Sequence, residues 1–327
     1  MTTKKQTLGP NQKAMQSFTV KSLPNVDTVV LAALELFSNK ATKLSKLKIP
    51  YKRPLVVGSG NAIATGKIIF EKHDAIYATE STVEAKLKSI KAIDGVVLFS
   101  ASGAKHAPII AKLAKKYKKP VTLITNTKNS DALKILNLKS QDQEYIFPKN
   151  REPYTYNTST YMGPIISYTK EDPKSILKFI KNNITSSKIT KLKPNNLKKY
   201  KKFYIQVPEE FEGIIRLLNV KFIELFGRQF SRDIETFQNT KHATTVVPSK
   251  KELFISFGQK NKTYGQKEHR LHIPLPKQAN YAAMMAIAYY VIGQIQKAHP
   301  PYFKKNIQNY MKETSKIFNK KMSSIVE

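Results

Sequence analysis

The residues with the clearest capacity for chemistry lie in "VVLFSASGAKHAPII" (Val96 to Ile110), where an apolar run ends in two serines and a glycine. A buried strand needs nothing polar at its tip unless something polar docks there. A Ser/Gly turn offers hydroxyls and backbone N–H groups to an anion, and the start of a following helix adds the positive end of its dipole. Pro108 fits a first helical turn, so the helix is expected to begin near Lys105, leaving Ser100 to Ala104 to wrap a phosphate. Taken alone, serines at a strand exit are ordinary turn chemistry. A second turn of the same kind, "GSGN" (Gly58 to Asn61), leaves an earlier apolar run expected to lie beside this one, and the pair favours the anion reading. There is no GxGxxG and no GK[ST], which disfavours dinucleotides and P-loop nucleotides.

Other chemistries are narrowed by composition. Cysteine is absent, which removes disulfides, thiolate metal sites and a cysteine nucleophile. His269 and His272 in "HRLH" have no third ligand beside them, so no metal is assigned and no cofactor is expected. The net charge of +33 suggests a polyanionic partner. Yet lysine is spread over almost every segment, and arginine is confined to Arg53, Arg151, Arg216, Arg228, Arg232 and Arg270. Nucleic-acid readers concentrate arginine where bases and phosphates are gripped. The charge therefore reads as a lysine-biased surface, with nucleic acid a disfavoured partner. The longest apolar run, "YAAMMAIAYYVIG" (Tyr281 to Gly293), is too short to span a bilayer and is expected to be a buried helix. The opening "MTTKKQTLGPNQK" has no apolar stretch of the signal-peptide kind, and a cytoplasmic protein with no membrane partner is expected.

The elements that must position the serine turns form an alternating series. "PLVVGSG", "DAIYATES", "GVVLFSAS", "PVTLITNT" and "EYIFP" read as strands, separated by the helical spacings of "AIATGKIIFEK", "TVEAKLKSIKAID", "APIIAKLAKKY" and "SDALKILNL". Unalternating strands separated by helices indicate a parallel sheet covered on both faces, with ligands bound beyond the strands' carboxyl ends. A long helix broken near Asp172-Pro173 follows. The polar stretch from Ile184 to Tyr200 reads as a linker, after which "FYIQV", the helix "EGIIRLLNVKFIELFG", "HATTVV", "ELFISFG", "RLHIPL" and an apolar helix from Gln278 to Ile295 repeat the pattern. The expected organisation is an arm (1–24), a first domain (25–183), a linker (184–200) and a second domain with a helical tail (201–327).

With "GSGNA", "VVLFSASG" and "PVTLITNT" in this order, the chain resembles the sugar isomerase domain, a phosphosugar-binding module. The two-half layout resembles the tandem pair in the isomerase portion of glucosamine-6-phosphate synthase, in fructosamine-6-phosphate deglycases and in archaeal phosphoglucose/phosphomannose isomerases. The likeness covers nearly the whole chain and is strongest from Pro54 to Asp131. It implies an α/β fold of two flavodoxin-like parallel-sheet subdomains in tandem, and by analogy a homodimer. It also implies that Ser59, Gly60, Asn61, Ser100, Ser102 and Gly103 hold a sugar phosphate. Where the family has threonine, this chain has Lys105, which either salt-bridges the phosphate or points to solvent. "EPYTYNTSTYM" resembles the segment whose Ser-Thr pair lines the sugar site, making Ser159 and Thr160 candidates.

The resemblance further implies a carboxylate that moves a proton between C1 and C2, a histidine that opens the ring and a lysine near the chain end. The carboxylate is carried to Glu224, with Glu235 the alternative; the histidine to His242; and the lysine to Lys305, preferred over Lys304. His242 is followed by Ala-Thr where the family has Gly-Pro. Each has a plainer reading: Glu224 as a surface carboxylate paired with Arg228 at i+4, Glu235 as a loop carboxylate, His242 as a backbone partner before a strand. Two functions follow from this set. One is a metal-independent phosphosugar aldose–ketose isomerase or a close deglycase or deaminase variant. The other is a non-catalytic, regulatory phosphosugar-binding protein.

Overall fold

A computed structural model describes residues 8–299 and 302–327. Helices α1 (Pro10–Ser17) and α2 (Val26–Ser38) precede β1 (Pro54–Val57), α3 (Asn61–Ile69), β2 (Ile76–Ala78), α4 (Val83–Ser89), β3 (Gly95–Phe99), α5 (His106–Lys116), β4 (Val121–Thr125) and β5 (Gln143–Ile146). A short strand β6 (Glu152–Pro153) leads to α6 (Thr158–Thr169), α7 (Pro173–Phe179) and α8 (Pro194–Leu197). The second series is β7 (Lys202–Val207), α9 (Ile215–Phe226), β8 (Ser231–Thr236), α10 (Phe237–Ala243), β9 (Glu252–Phe257), β10 (Arg270–Ile273), α11 (Tyr281–Ala298), α12 (Tyr302–Ile317) and β11 (Ile325–Val326).

Both main sheets are parallel, as the unalternating apolar runs predict. The first is ordered β2-β1-β3-β4-β5 and the second β10-β9-β7-β8, so the second repeats the first's order without a fifth strand. In each, the order reverses beside the first strand, between β1 and β3 and between β7 and β9, which is where such sheets open a crevice. Leu55, Val57, Val96, Leu98, Val121 and Leu123 pack on one face of the first sheet against Leu87, Ala107, Ala111 and Ala114. Val56, Val97, Phe99 and Ile124 pack on the other against Ala62, Ile69 and Phe70. This two-faced burial explains the continuous hydrophobicity of the strands.

The chain divides into two compact units. One holds Lys43–Lys149 and Thr160–Lys170; the other holds the segment ending at Thr42, Asn150–Ser159 and everything from Glu171. The early segment joins the second sheet's unit because α2 buries Val26, Val29, Val30, Ala33, Leu34 and Phe37 and packs along α11. Gly293 of α11 permits the approach, since a Cβ there would sit 2.2 Å from the Asp27 backbone nitrogen. Apart from Lys297, every residue of α11 is buried, as expected for the apolar run, and no helix among the described residues is long and apolar enough to cross a membrane. The expected break near Pro173 is present: Asp172 caps α7 by accepting from the N–H groups of Lys174 and Ser175.

Two local expectations are corrected. "HATTVV" is no strand: α10 ends at Ala243, and Val247 beyond it is 72% exposed. The strand is the polar "SRDIET" before it, an edge strand beside β7. "SDALKILNL" forms only a single helical turn, Leu133–Ile135.

Candidate active site

In the unit built on the first sheet, the two serine turns stand at the ends of β1 and β3, the strands flanking the crevice. The turn after β3 is internally braced. The Ala101 carbonyl accepts from the Asn126 N–H at 3.0 Å and from the Thr125 and Thr127 hydroxyls, each at 3.1 Å. The Gly103 N–H donates to Ser100 Oγ at 3.1 Å and the Ala104 N–H to Ser102 Oγ at 3.3 Å. Gly103 has φ +57°, and a Cβ there would meet Ser130 Oγ at 2.3 Å, so only glycine fits the turn. Lys105, also at positive φ, is the residue before α5, and Pro108 falls in that helix's first turn, as expected. After β1, the exposed Ser59 hydroxyl donates to Glu80 Oε2 at 2.8 Å, and His106 Nε2 lies 3.8 Å from Glu80 Oε1. Asn61 is buried, and its Oδ1 has no partner among the described residues. The turns thus present hydroxyls and helix starts at one crevice, with Glu80 as the local carboxylate that an incoming anion must face.

The unit built on the second sheet holds a cluster of buried ionic groups. Lys221 on α9 is fully buried, falling on the helix's apolar stripe with Leu217, Leu218 and Leu225. Its Nζ donates to the carbonyls of Thr155 at 2.7 Å and Tyr156 at 2.6 Å, and to Glu224 Oε2 at 2.9 Å. The Tyr289 ring centroid lies 5.4 Å away. The two carbonyls are presented by a turn in which Thr155 (φ +74°) and Asn157 (φ +46°) take left-handed backbone. Such conformations cost about 1–3 kcal/mol each for non-glycine residues and cluster at functional sites. Glu152, just upstream, caps α6: it accepts from the N–H groups of Thr158 at 2.6 Å and Ser159 at 2.7 Å, and from the Ser159 hydroxyl. Burial raises its pKa against those bonds and against nearby Lys221.

Glu224 is the partly exposed member of the cluster. Its side chain is 19% exposed, whereas that of Lys221 is fully buried. Burial raises its pKa, with Lys221 and Arg216 pulling the other way. The i+4 pairing with Arg228 that the sequence allows is replaced by a pairing with Lys221 one turn earlier. A carboxylate whose pKa is raised by burial is a stronger base than a free one, and a fixed ammonium beside it stabilises negative charge developing there.

The remaining sequence candidates are not hydrogen-bonded to this pair: among the described residues Lys221 Nζ bonds only Thr155, Tyr156 and Glu224. Glu235, the last residue but one of β8, is half-buried and accepts from Asn239 Nδ2 at 3.3 Å. His242 is exposed near the end of α10, its Nε2 3.0 Å from Gln238 Nε2. Lys304 donates to Asn25 Oδ1 at 2.9 Å, and Lys305 is exposed on the same turn of α12. Ser159 and Thr160 are buried; the Ser159 hydroxyl donates to Glu152 and accepts from the Asn150 N–H at 2.9 Å. Among the described residues no cluster of three or more histidine or acidic side chains could hold a metal. Sequence reasoning missed Lys221 and Glu152. The signal for Lys221 was a lysine on the apolar stripe of α9.

At the level of sequence, no family model and no curated protein matches the chain. The fold, by contrast, is clear: it is the sugar isomerase domain fold, two flavodoxin-like parallel-sheet subdomains in tandem. Among solved structures, the C-terminal domain of glucosamine-fructose-6-phosphate aminotransferase from Francisella tularensis superposes with a TM-score of 0.57 at 12% identity, covering 89% of this chain and 96% of that one. Tagatose-6-phosphate ketose/aldose isomerase from Escherichia coli gives 0.56 at 12% identity, covering 89% and 90%. Glucosamine-6-phosphate deaminase from Thermotoga maritima gives 0.54 at 14% identity, covering 88% and 94%.

Proposed function

We propose that this chain is a sugar-phosphate aldose–ketose isomerase, or a deaminase or deglycase variant of one, acting on a hexose or hexosamine phosphate. The observation that carries the reading is the Glu224 carboxylate, raised in pKa by burial, on a side chain that stays partly exposed, and held by the buried Lys221 ammonium. In the forward direction Glu224 takes the proton from C2 of the open-chain aldose. The electron pair left behind forms the C1=C2 bond of the enediolate as the carbonyl pair moves onto O1; the O2 proton passes to O1, and Glu224 returns its proton at C1 as C2=O forms, giving the ketose. Lys221 holds the carboxylate in place and offsets the charge that builds beside it. His242 is the candidate for ring opening. The phosphate is assigned to Ser59, Ser100, Ser102 and the backbone at Gly60 and Gly103, with Asn61 and Lys105 at the starts of the two following helices.

The reading is supported by the neighbours' named activities on 6-phosphosugars, which share the fold. A thermal-shift panel of hexose and hexosamine 6-phosphates tests it. A bound ligand at a hundred times its dissociation constant should add about 2.7 kcal/mol to stability. Ser100→Ala/Ser102→Ala should weaken that ligand by about ten-fold or more with the fold intact, since each change removes a hydrogen bond to a charged group. No stabilisation by any member of the panel would end the reading. Unchanged affinity in the double variant would displace the phosphate from this turn.

A further inference from the structure

A cleft of about 360 Å³ lies between the Val20–Asn25 loop, the last turns of α11 and the first turn of α12. Four lysines line it: Lys21, Lys297, Lys304 and Lys305. Neither Lys221 nor Glu224 is among its lining residues. Lys297 is ion-paired with Asp27, whose Oδ2 also accepts from Gln294 Nε2 at 2.8 Å. The other three form no ion pair among the described residues. Lys304 is half-buried, and its amine rests on a neutral amide, Asn25 Oδ1.

We infer that this cleft binds a small polyvalent phosphate, either inorganic pyrophosphate or the phosphoryl group of a small organic molecule. Lys21, Lys304 and Lys305 bring three positive charges to the lining of one concavity with no ion pair among them, and a compact di- or trianion relieves their mutual repulsion while gaining charge-assisted hydrogen bonds. Burial pushes the Lys304 pKa down, with the Asp27 carboxylate pulling the other way, so an anion in the cleft would add to a compensation that Asp27 supplies only in part. The wall is already fixed: Gln296 accepts the Val26 N–H at 2.8 Å and donates to the Tyr156 hydroxyl at 2.8 Å, so little order is lost on binding. The volume suits a hexose phosphate or pyrophosphate. A nucleic acid is the poorer fit, because the lysines converge in a cleft instead of running as a stripe, and no arginine lines it.

Calorimetric titration of the full chain with pyrophosphate, inorganic phosphate and glucose 6-phosphate tests the site. One saturable pyrophosphate site is expected, tighter than that for inorganic phosphate. Lys21→Glu, at an exposed position that leaves folding untouched, and Lys304→Gln should each weaken it by ten-fold or more. Ser100→Ala/Ser102→Ala should leave it unchanged. Equal binding of glucose 6-phosphate with the same Lys304 dependence supports the site and assigns the phosphoryl group to an organic carrier. Affinity indifferent to both lysine variants overturns the proposal, as does affinity lost only in the serine variant, which assigns the anion to the turn after β3. Displacement of pyrophosphate by duplex DNA at physiological salt overturns the small-ligand assignment.

Discussion

Glu224→Gln is expected to slow proton transfer between C1 and C2 by about 10²–10⁴-fold, the usual contribution of a positioned general base. The amide keeps the shape of the carboxylate and can still accept from Lys221 Nζ, 2.9 Å from Oε2, but it cannot take a proton. Sugar-phosphate affinity should change little, because the phosphate is assigned to other residues. Glu235→Gln is the control, at a half-buried carboxylate near the end of β8. If Glu235→Gln alone removed turnover, the base would be on β8. The wild-type pH profile carries a second signature. Activity requires ionised Glu224, and burial raises its pKa, so the acid limb should lie above the ordinary glutamate value of about 4.3. The same shift has a stability consequence of fixed sign. Between the unfolded and the raised folded pKa the native state holds the extra proton, so this group's contribution to stability falls as pH rises through that window.

Lys221→Met should have the largest effect on folding, about 3–5 kcal/mol, the range seen when one partner of a buried ion pair is removed. Methionine fills the aliphatic path of the side chain. It leaves the Thr155 and Tyr156 carbonyls without their donor and Glu224 without its cation, and it takes charge compensation away from Glu152. The strained turn at Thr155 and Asn157 also loses the group that ties it to α9. Urea unfolding measures the loss. With Lys221 gone, the pKa of Glu224 should rise further and the acid limb of any residual activity should move to higher pH. A variant within about 1 kcal/mol of wild type would show that the network is not a structural keystone.

The sequence carried the parallel sheets and the serine turns plainly, because strands buried on both faces leave unalternating apolar runs and the SASG turn must expose its hydroxyls. Glu224 came only through family resemblance; its partner did not come at all. In a chain with lysine in nearly every segment, one more lysine on an amphipathic helix carries little information, and only its place on the stripe of Leu217, Leu218 and Leu225 marks it as buried. The edge strand Ser231–Thr236 was hidden by its polarity, while the β-branched "ATTVV" mimicked a strand. The docking of α2 along α11 was out of reach, because an apolar face states that it will be covered but not by what. The left-handed turn that feeds two carbonyls to Lys221 was equally silent, since it contains no glycine.

The central claim is that Glu224 moves a carbon-bound proton. The direct measurement is to incubate the wild-type protein in deuterated water with each hexose or hexosamine 6-phosphate that stabilises it, and follow the C2 hydrogen by NMR. The account predicts that at least one of these sugars exchanges its C2 hydrogen for deuterium. A protein that binds phosphosugars yet exchanges hydrogen with none of them would contradict the isomerase account and leave the non-catalytic binding protein as the function of the chain.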